Sequence, residues 1–327
     1  MDNVTHSLTG LMIARALMPR APRAALMMIL AANVPDIDVV SGLRGSLSYI
    51  EWHRSYTHSL AFAPLMALIP LLIVWRFSLL FYFFSLIGVL SHLLLDWTNA
   101  YGIRLLLPFS HRWLRLDQTD IVDPWILSIF FLALAAPALA RMVSSEIGAG
   151  KNSGAKRGWA WFALAAVLAY EGARYTAHSR AIAVMDAHLY NGVIPDRITA
   201  IPALMNPARW RGIVEGGNFV DFVPVDLAGQ FDPTDGRTDY SSPASPAIDA
   251  ARRTGPFEAF SRFDQLPFWR VTPVVDGNVV ELIDLRFGSP ESPGFEARAL
   301  VDREGVVHDA QFTFGRRLPI PKEQRDP

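Results

Sequence analysis

The chain of 327 residues contains no cysteine, which excludes disulfides, thiolate-held metals, iron–sulfur clusters and a cysteine nucleophile. Any metal must rest on nitrogen and oxygen ligands. Charge is scarce too: Asp, Glu, Lys and Arg make up 19% of the residues against 51% hydrophobic ones, too apolar for one average soluble domain and incompatible with disorder. No dense basic stripe or reader motif occurs, so nucleic acid is not an expected partner. Residues 1–170 hold 13 Lys/Arg against 9 Asp/Glu and the remainder 17 against 22, so the two halves differ in sign. His-Glu-x-x-His is absent, which removes the commonest zinc-protease arrangement, and there is no internal repeat.

Long apolar runs are present instead. Leu60 to Trp75 and Phe77 to Leu95, separated by Arg76, read as a transmembrane hairpin, because a span needs about 20 predominantly apolar residues. Pro124 to Ala140 and Trp159 to Tyr175 are two further candidate spans. Leu8 to Leu17 and Ala24 to Val34, joined by a turn at 18–23, are too short to span and read as helices packed against the others. The fold expected is therefore an α-helical integral membrane domain over 1–175, with about four transmembrane helices plus two short N-terminal helices. A β-rich α+β soluble domain follows over 176–327. There, short alternating runs at 211–214, 218–225, 269–275, 279–287, 297–302 and 306–314 predict strands, with hairpin turns at Asp276-Gly277-Asn278 and Arg303-Glu304-Gly305. Residues 229–256 read as a mobile loop.

Lys and Arg favour the cytoplasmic side. Assigning Arg15, Arg20 and Arg23, then Arg76, then Arg141, Lys151, Lys156 and Arg157 to cytoplasmic turns places 35–59, 97–123 and the C-terminal domain on the outer face. Polar chemistry gathers on that face: His6, Asp36, Asp38, Glu51, His53, His58, Asp96, His111, Asp117, Asp120 and Asp123, with His92 one turn below. The expected location is a bacterial inner membrane, multi-pass, with a periplasmic C-terminal domain. Met-Asp-Asn lacks the basic start of a signal peptide, so His6 is expected to be retained.

His92 and Asp96 stand at i and i+4 on an apolar helix, on one face and at metal-ligand spacing. An internal hydrogen bond between them is the alternative. Ionisable groups in a span face a protein interior, a cavity or each other. Val34-Pro35-Asp36-Ile37-Asp38 adds two carboxylates where Pro35 ends regular structure, so that an extended or turn backbone can aim both at one point; capping is their commoner use. Trp52-His53-Arg54-Ser55-Tyr56-Thr57-His58 adds two imidazoles, otherwise interfacial or solvated, and His6 a third. His6, Asp36, Asp38, His53, His58, His92 and Asp96 are the candidate metal ligands. They suit zinc, with manganese or iron as alternatives, and their number leaves room for one or two ions bridged by an aspartate. The chemistry that follows is hydrolysis by metal-activated water, with Asp36 or Asp38 as bridge or base, on a membrane-proximal ester or phosphoester. Arg54, Arg104 and Arg112 could receive a phosphate, although an ordinary headgroup-facing arginine is the simpler reading. Asp123, before Pro124, reads as a helix N-cap.

These residues carry a resemblance. Met1-Asp2-Asn3-Val4-Thr5-His6-Ser7-Leu8, Asn33-Val34-Pro35-Asp36-Ile37-Asp38, Trp52-His53-Arg54 with Thr57-His58-Ser59, and Ser91-His92-Leu93-Leu94-Leu95-Asp96-Trp97 look like the YdjM family. The resemblance continues through 101–109, Asp123-Pro124-Trp125 and Asn206 to Gly212, covering most of 1–215. It implies a bacterial inner-membrane protein of a group predicted to be metal-dependent hydrolases, and the seven residues above as its ligands. The His-x-x-x-Asp helix also looks like one element of zinc-dependent phospholipase C. Two other readings stand beside the hydrolase: a transport or proton/cation-relay protein, and a non-catalytic membrane protein stabilised by a metal. The lipid bilayer is the expected partner in all three.

Overall fold

The computed structural model describes residues 1–146 and 155–315; Lys151 of the third basic turn lies outside them. In chain order the helices are α1 (Asn3–Leu17), α2 (Ala24–Ala31), α3 (Ser46–Trp52), α4 (Ala63–Met66), α5 (Leu68–Val74), α6 (Leu79–Thr98), α7 (Pro124–Glu146) and α8 (Ala155–Asp186). Two 3₁₀ helices, Val34–Arg44 and Tyr56–His58, lie among them. The chain divides into two compact units. Met1–Asp38, Arg54–Arg180 and Pro202–Arg209 form the first, and Val39–His53, Ala181–Ile201 and Trp210–Pro327 the second.

In the first unit three helix starts have a side-chain cap. The Asp2 carboxylate accepts from Val4 N and Thr5 N at 2.9 and 3.1 Å and so opens α1. Ser78 accepts from Phe81 N at 3.2 Å to open α6. Asp123 accepts from Trp125 N and Ile126 N, with Pro124 next, which makes it the N-cap its sequence context indicated. Once formed, α1 and α2 pack back to back because Gly10 has no side chain: a Cβ there would stand 2.4 Å from Met28 O. Gly88 of α6 likewise admits Ala31 of α2, whose Cβ would lie 2.6 Å from an added one. Apolar side chains of α1, α6, α7 and α8, among them Met12, Leu95, Ile126, Phe130 and Val167, close one core; Ile13, Met27, Met28, Leu71 and Val74 close another.

Among the described residues α6 is the helix long and apolar enough to cross a bilayer. The count rises to three if two bent pairs, Ala24–Ala31 with Val34–Arg44 and Ser46–His58 with Ala63–Val74, are each one span. The second limb of the expected hairpin is α6; over Leu60 to Trp75 the chain is helical in α4 of four residues and α5 of seven, which together cover Ala63–Val74 and are too short to cross alone. Pro64 in the first turn of α4 and Pro70 near the start of α5 account for the short pieces, since proline supports a helix start and cannot donate within one. The apolar part of α7, Pro124–Ala140, is shorter than α6.

The second unit is β-rich. Strands β1 (Arg197–Pro202), β2 (Arg209–Gly216), β3 (Phe219–Asp226) and β4 (Arg237–Tyr240) form one sheet in sequence order. Strands β5 (Pro267–Val274), β6 (Gly277–Asp284), β9 (Phe295–Asp302) and β10 (Val307–Phe314) form another in the order β10-β9-β6-β5, and β7 (Gly288–Ser289) pairs with β8 (Ser292–Pro293). Val274 pairs with Gly277 and Val307 with Val301, so both expected hairpins are present, the first turning at Val275-Asp276 with Gly277 and Asn278 already in β6. Residues 229–256 are not structureless. They contain β4, a 3₁₀ turn and α9 (Pro246–Arg252), which Ser245 caps by accepting from Ile248 N with Pro246 at the first position. Helix α10 (Gly255–Phe263) turns Phe257, Phe260 and Phe263 inward onto the sheet, three residues apart as one helix face requires.

Candidate metal centre

The centre lies in the first unit, on the buried face of α6. His92 and Asp96 project one turn apart, both fully buried. The segment that was expected to be extended after Pro35 is instead the 3₁₀ helix Val34–Arg44, whose three residues per turn set Asp36 and Asp38 about 120° apart around the axis. Their carboxylates flank the ring of His58, which the short helix Tyr56–His58 presents. Asp36 Oδ1 lies 3.3 Å from His58 Nε2, and Asp38 Oδ2 lies 3.0 Å from His58 Nδ1.

Hydrogen bonds behind the two imidazoles decide which ring nitrogens carry protons. His92 Nδ1 is 2.8 Å from the carbonyl oxygen of Ala32, which can only accept, so Nδ1 donates. His58 Nδ1 donates to the Asp38 carboxylate, which also accepts from the Thr57 hydroxyl at 2.6 Å and from Arg54 N–H at 3.0 Å. Both Nε2 atoms are then bare lone pairs, and they face each other at 3.1 Å. Asp96 Oδ2 stands 3.4 Å from His58 Nε2 and 3.3 Å from His92 Nε2, and Asp36 Oδ1 stands 3.7 Å from His92 Nε2. With both imidazoles neutral, four buried electron-pair donors converge. One proton could join two of the four and would leave the others opposed. A cation at their centre satisfies all four. A tetrahedral ion with bonds of about 2.0–2.1 Å requires donor separations of about 3.3–3.4 Å, and the separations just given, 3.1 to 3.7 Å, bracket that value. The four donors lie within 4.8 Å of one another and could hold a metal ion.

His6 adds a neighbour. Its ring stacks on His92 with centroids 3.8 Å apart, and its Nε2 is 3.4 Å from Asp96 Oδ1. Burial, followed by the neighbouring His92, pushes its pKa well below the usual histidine range, so it is neutral, and neither ring nitrogen has a hydrogen-bond partner among the described residues. His53 falls in the second unit, where its backbone closes α3 and its ring stacks on Tyr49 at 4.6 Å. The structure thus brings Asp36, His58, His92 and Asp96 to one point, with Asp38 behind His58 and His6 against His92.

One residue at the centre received a different role from the sequence. Arg54, read as a possible phosphate receptor, is buried, and its Nη2 lies 3.0 Å from Asp96 Oδ1. Its Nη1 reaches Asn99 Oδ1 and the carbonyl of Gly102, and its guanidinium lies 4.5 Å from the centroid of the Tyr101 ring. The Met1 amino group and Asn99 Nδ2 also reach Asp96 Oδ1. The signal in the sequence was an arginine between two histidines, which spacing alone does not assign. Arg104 lies over Trp113, and Arg112 is exposed.

Fold and site together define a protein with a helical N-terminal region that includes a helix long and apolar enough to cross a membrane, a β-rich C-terminal part, and a buried His/Asp group able to hold a metal ion. Residues 1–181 match the family described as YdjM inner membrane protein, and the chain belongs to that family. It is 26% identical over 279 residues to the uncharacterized protein YfhP of Bacillus subtilis (strain 168), an alignment covering 83% of this chain and 80% of that one. No solved structure matches.

Proposed function

We propose that the protein is a membrane-bound, metal-dependent hydrolase acting on a membrane-proximal ester or phosphoester at the outer face of the inner membrane. The observation that carries this reading is the convergence of four buried lone pairs, on Asp36, His58, His92 and Asp96, whose separations suit a cation of zinc's size. A divalent ion bound there supplies Lewis acidity and an activated water at neutral pH. The chain's own residues do the rest. Asp38 and the Ala32 carbonyl hold the two imidazoles in the tautomer that turns Nε2 inward. Arg54 fixes Asp96 through its other oxygen. His6, neutral and with unpartnered ring nitrogens beside Asp96, can accept a proton from a reacting group. The positive-inside bias supports a periplasmic side for the β-rich domain over 176–327 in this reading.

A second reading has its own support. Four protein donors complete a tetrahedron, which is the count of a structural zinc site rather than of a catalytic one with an open position. One experiment separates the two. The detergent-purified full chain is analysed for metal and assayed with zinc against lipid phosphodiesters and esters, beside a variant carrying both His92→Ala and Asp96→Ala. Metal and turnover in the native chain, both lost in the variant, support the hydrolase. Metal without turnover on any substrate supports the structural reading, and equal metal in both proteins removes the site. Sidedness is checked separately in the cysteine-free chain: Ala244→Cys should react with a membrane-impermeant thiol reagent on intact spheroplasts, and Lys156→Cys should not.

A further inference from the structure

We infer that the loop joining β1 to β2, residues 203–208, is a lipid anchor, with Leu204 and Met205 seated among acyl chains at the membrane boundary where α6 ends. This rests on the membrane-bound reading above and holds whichever face of the membrane that boundary is. The loop belongs to the first unit, with the helices. A run of hydrogen bonds fixes its level. Thr98 ends α6, the helix long enough to cross. The Thr98 carbonyl accepts from Gln118 N–H at 2.8 Å, the Gln118 carbonyl accepts from Arg174 Nε at 2.8 Å, and Arg174 Nη1 donates to the Pro207 carbonyl. Trp125, in the first turn of α7, donates from Nε1 to the Met205 carbonyl at 3.3 Å. Tryptophan favours the headgroup level, where its ring meets the apolar layer and its N–H meets polar groups.

What the loop presents at that level is apolar. Met205 is 70% exposed and Leu204 50%, and no residue from 202 to 208 is ionisable. Trp125 is exposed as well, and farther along α7 so are Phe131 and Leu132. In the membrane-bound reading the exposed apolar side chains of α7 face lipid, and the same lipid covers a loop bonded to that helix's first turn. This continuity favours a lipid surface over a partner protein. The main chain is suited to a place poor in water, where irregular backbone must find its partners within the protein. Pro207 has no N–H to satisfy. Ala208 N–H donates to Asn206 Oδ1 at 2.9 Å, Arg209 N–H to the Asn206 carbonyl at 3.0 Å, and Ala203 N–H to the Arg209 carbonyl at 3.1 Å. The carbonyls of Met205 and Pro207 are those taken by Trp125 and Arg174.

The chain has no cysteine, so a single one can carry a probe. Met205→Cys, and separately Leu204→Cys, is labelled in the full chain with an environment-sensitive nitrobenzoxadiazole dye. Each protein is reconstituted in nanodiscs of phosphatidylethanolamine and phosphatidylglycerol, where both faces are open to solvent. Phe83→Cys, at an exposed position of α6, reports on the bilayer, and Ala244→Cys, exposed in the second unit, reports on water. The two loop labels are expected to emit to the blue of the Ala244 label and to be quenched by lipids carrying a nitroxide near the headgroup end of an acyl chain. Iodide should quench them several-fold less than it quenches the Ala244 label. Iodide quenching equal to that at Ala244 would put the loop in water and overturn the inference. Blue-shifted labels that neither quencher reaches would mean that protein covers the loop, a second copy or a partner, and would overturn it too. If the Phe83 label responds to the lipid nitroxide and the loop labels do not, the anchor fails and the membrane reading stands; if the Phe83 label does not respond either, both fail.

Discussion

Asp38→Asn isolates the claim that His58 is held in its metal-binding tautomer by a carboxylate that does not itself touch the ion. In the native chain Asp38 Oδ2 accepts from His58 Nδ1, Thr57 Oγ1 and Arg54 N. An asparagine is nearly the same shape, and two donors that cannot turn round, His58 Nδ1–H and the Arg54 N–H, select its oxygen for the same place. Tautomer and geometry then survive, and what is lost is charge assistance. A hydrogen bond to a charged group contributes about 1.5–3 kcal/mol against about 0.5–1.5 for a neutral pair. The difference of about 1–1.5 kcal/mol corresponds to roughly a tenfold loss of zinc affinity, at the lower end of the range seen when partners behind metal ligands are removed. Asp38→Ala, which leaves His58 Nδ1 without an acceptor, should lose about a hundredfold. The assay is competition with a chromogenic zinc chelator in detergent at fixed pH, with the thermal midpoint of the zinc-free protein as the control for folding. Unchanged affinity in both variants, with folding intact, would show that Nδ1 of His58 does not carry the proton assigned to it.

Packing and pH supply two further expectations. Gly88→Ala would place a Cβ 2.6 Å from Ala31 Cβ and 3.3 Å from Met28 Cε; the overpacking should cost about 1–3 kcal/mol, lowering the melting midpoint in detergent. An unaltered midpoint would mean that α2 and α6 are free to part. In the second unit, burial and then the charge of Asp284 push the pKa of Asp264 well above the usual carboxylate range. The folded state keeps that proton where the unfolded chain has released it, so the stability it contributes is complete below about pH 3.9 and is lost as pH rises toward the folded pKa. Asp264→Asn should flatten that fall and raise the melting midpoint at neutral pH; a native unit whose midpoint does not decline over this range would contradict the assignment.

Much of the centre was legible because its strongest element is local: His92 and Asp96 are four residues apart on a helix that hydropathy alone identifies, and helical geometry puts them side by side. The two N-terminal helices and both hairpins were readable for the same reason. What was hidden depends on contacts between distant segments. Nothing in Val34-Pro35-Asp36-Ile37-Asp38 announces a 3₁₀ helix, and only that geometry separates Asp36, which faces the donors' meeting point, from Asp38, which faces the back of His58. Arg54 looks like any interfacial arginine until Asp96 and Asn99 are found against it. Leu60 to Trp75 is as apolar as a span, and apolarity does not report that prolines at 64 and 70 cut it into short helices. Within the loop expected at 229–256, Ser245-Pro246 has the form of a helix start.

The two inward-facing imidazoles are secured unequally. His58 depends on the Asp38 side chain, which a single codon change can remove, whereas His92 is held by the oxygen of Ala32, the C-cap residue just past α2, whose carbonyl has no intrahelical partner by its position. A main-chain atom survives replacement of its own side chain. Gradual tuning of the site by substitution is thus open on the His58 side and nearly closed on the His92 side, where change must come from moving a whole helix.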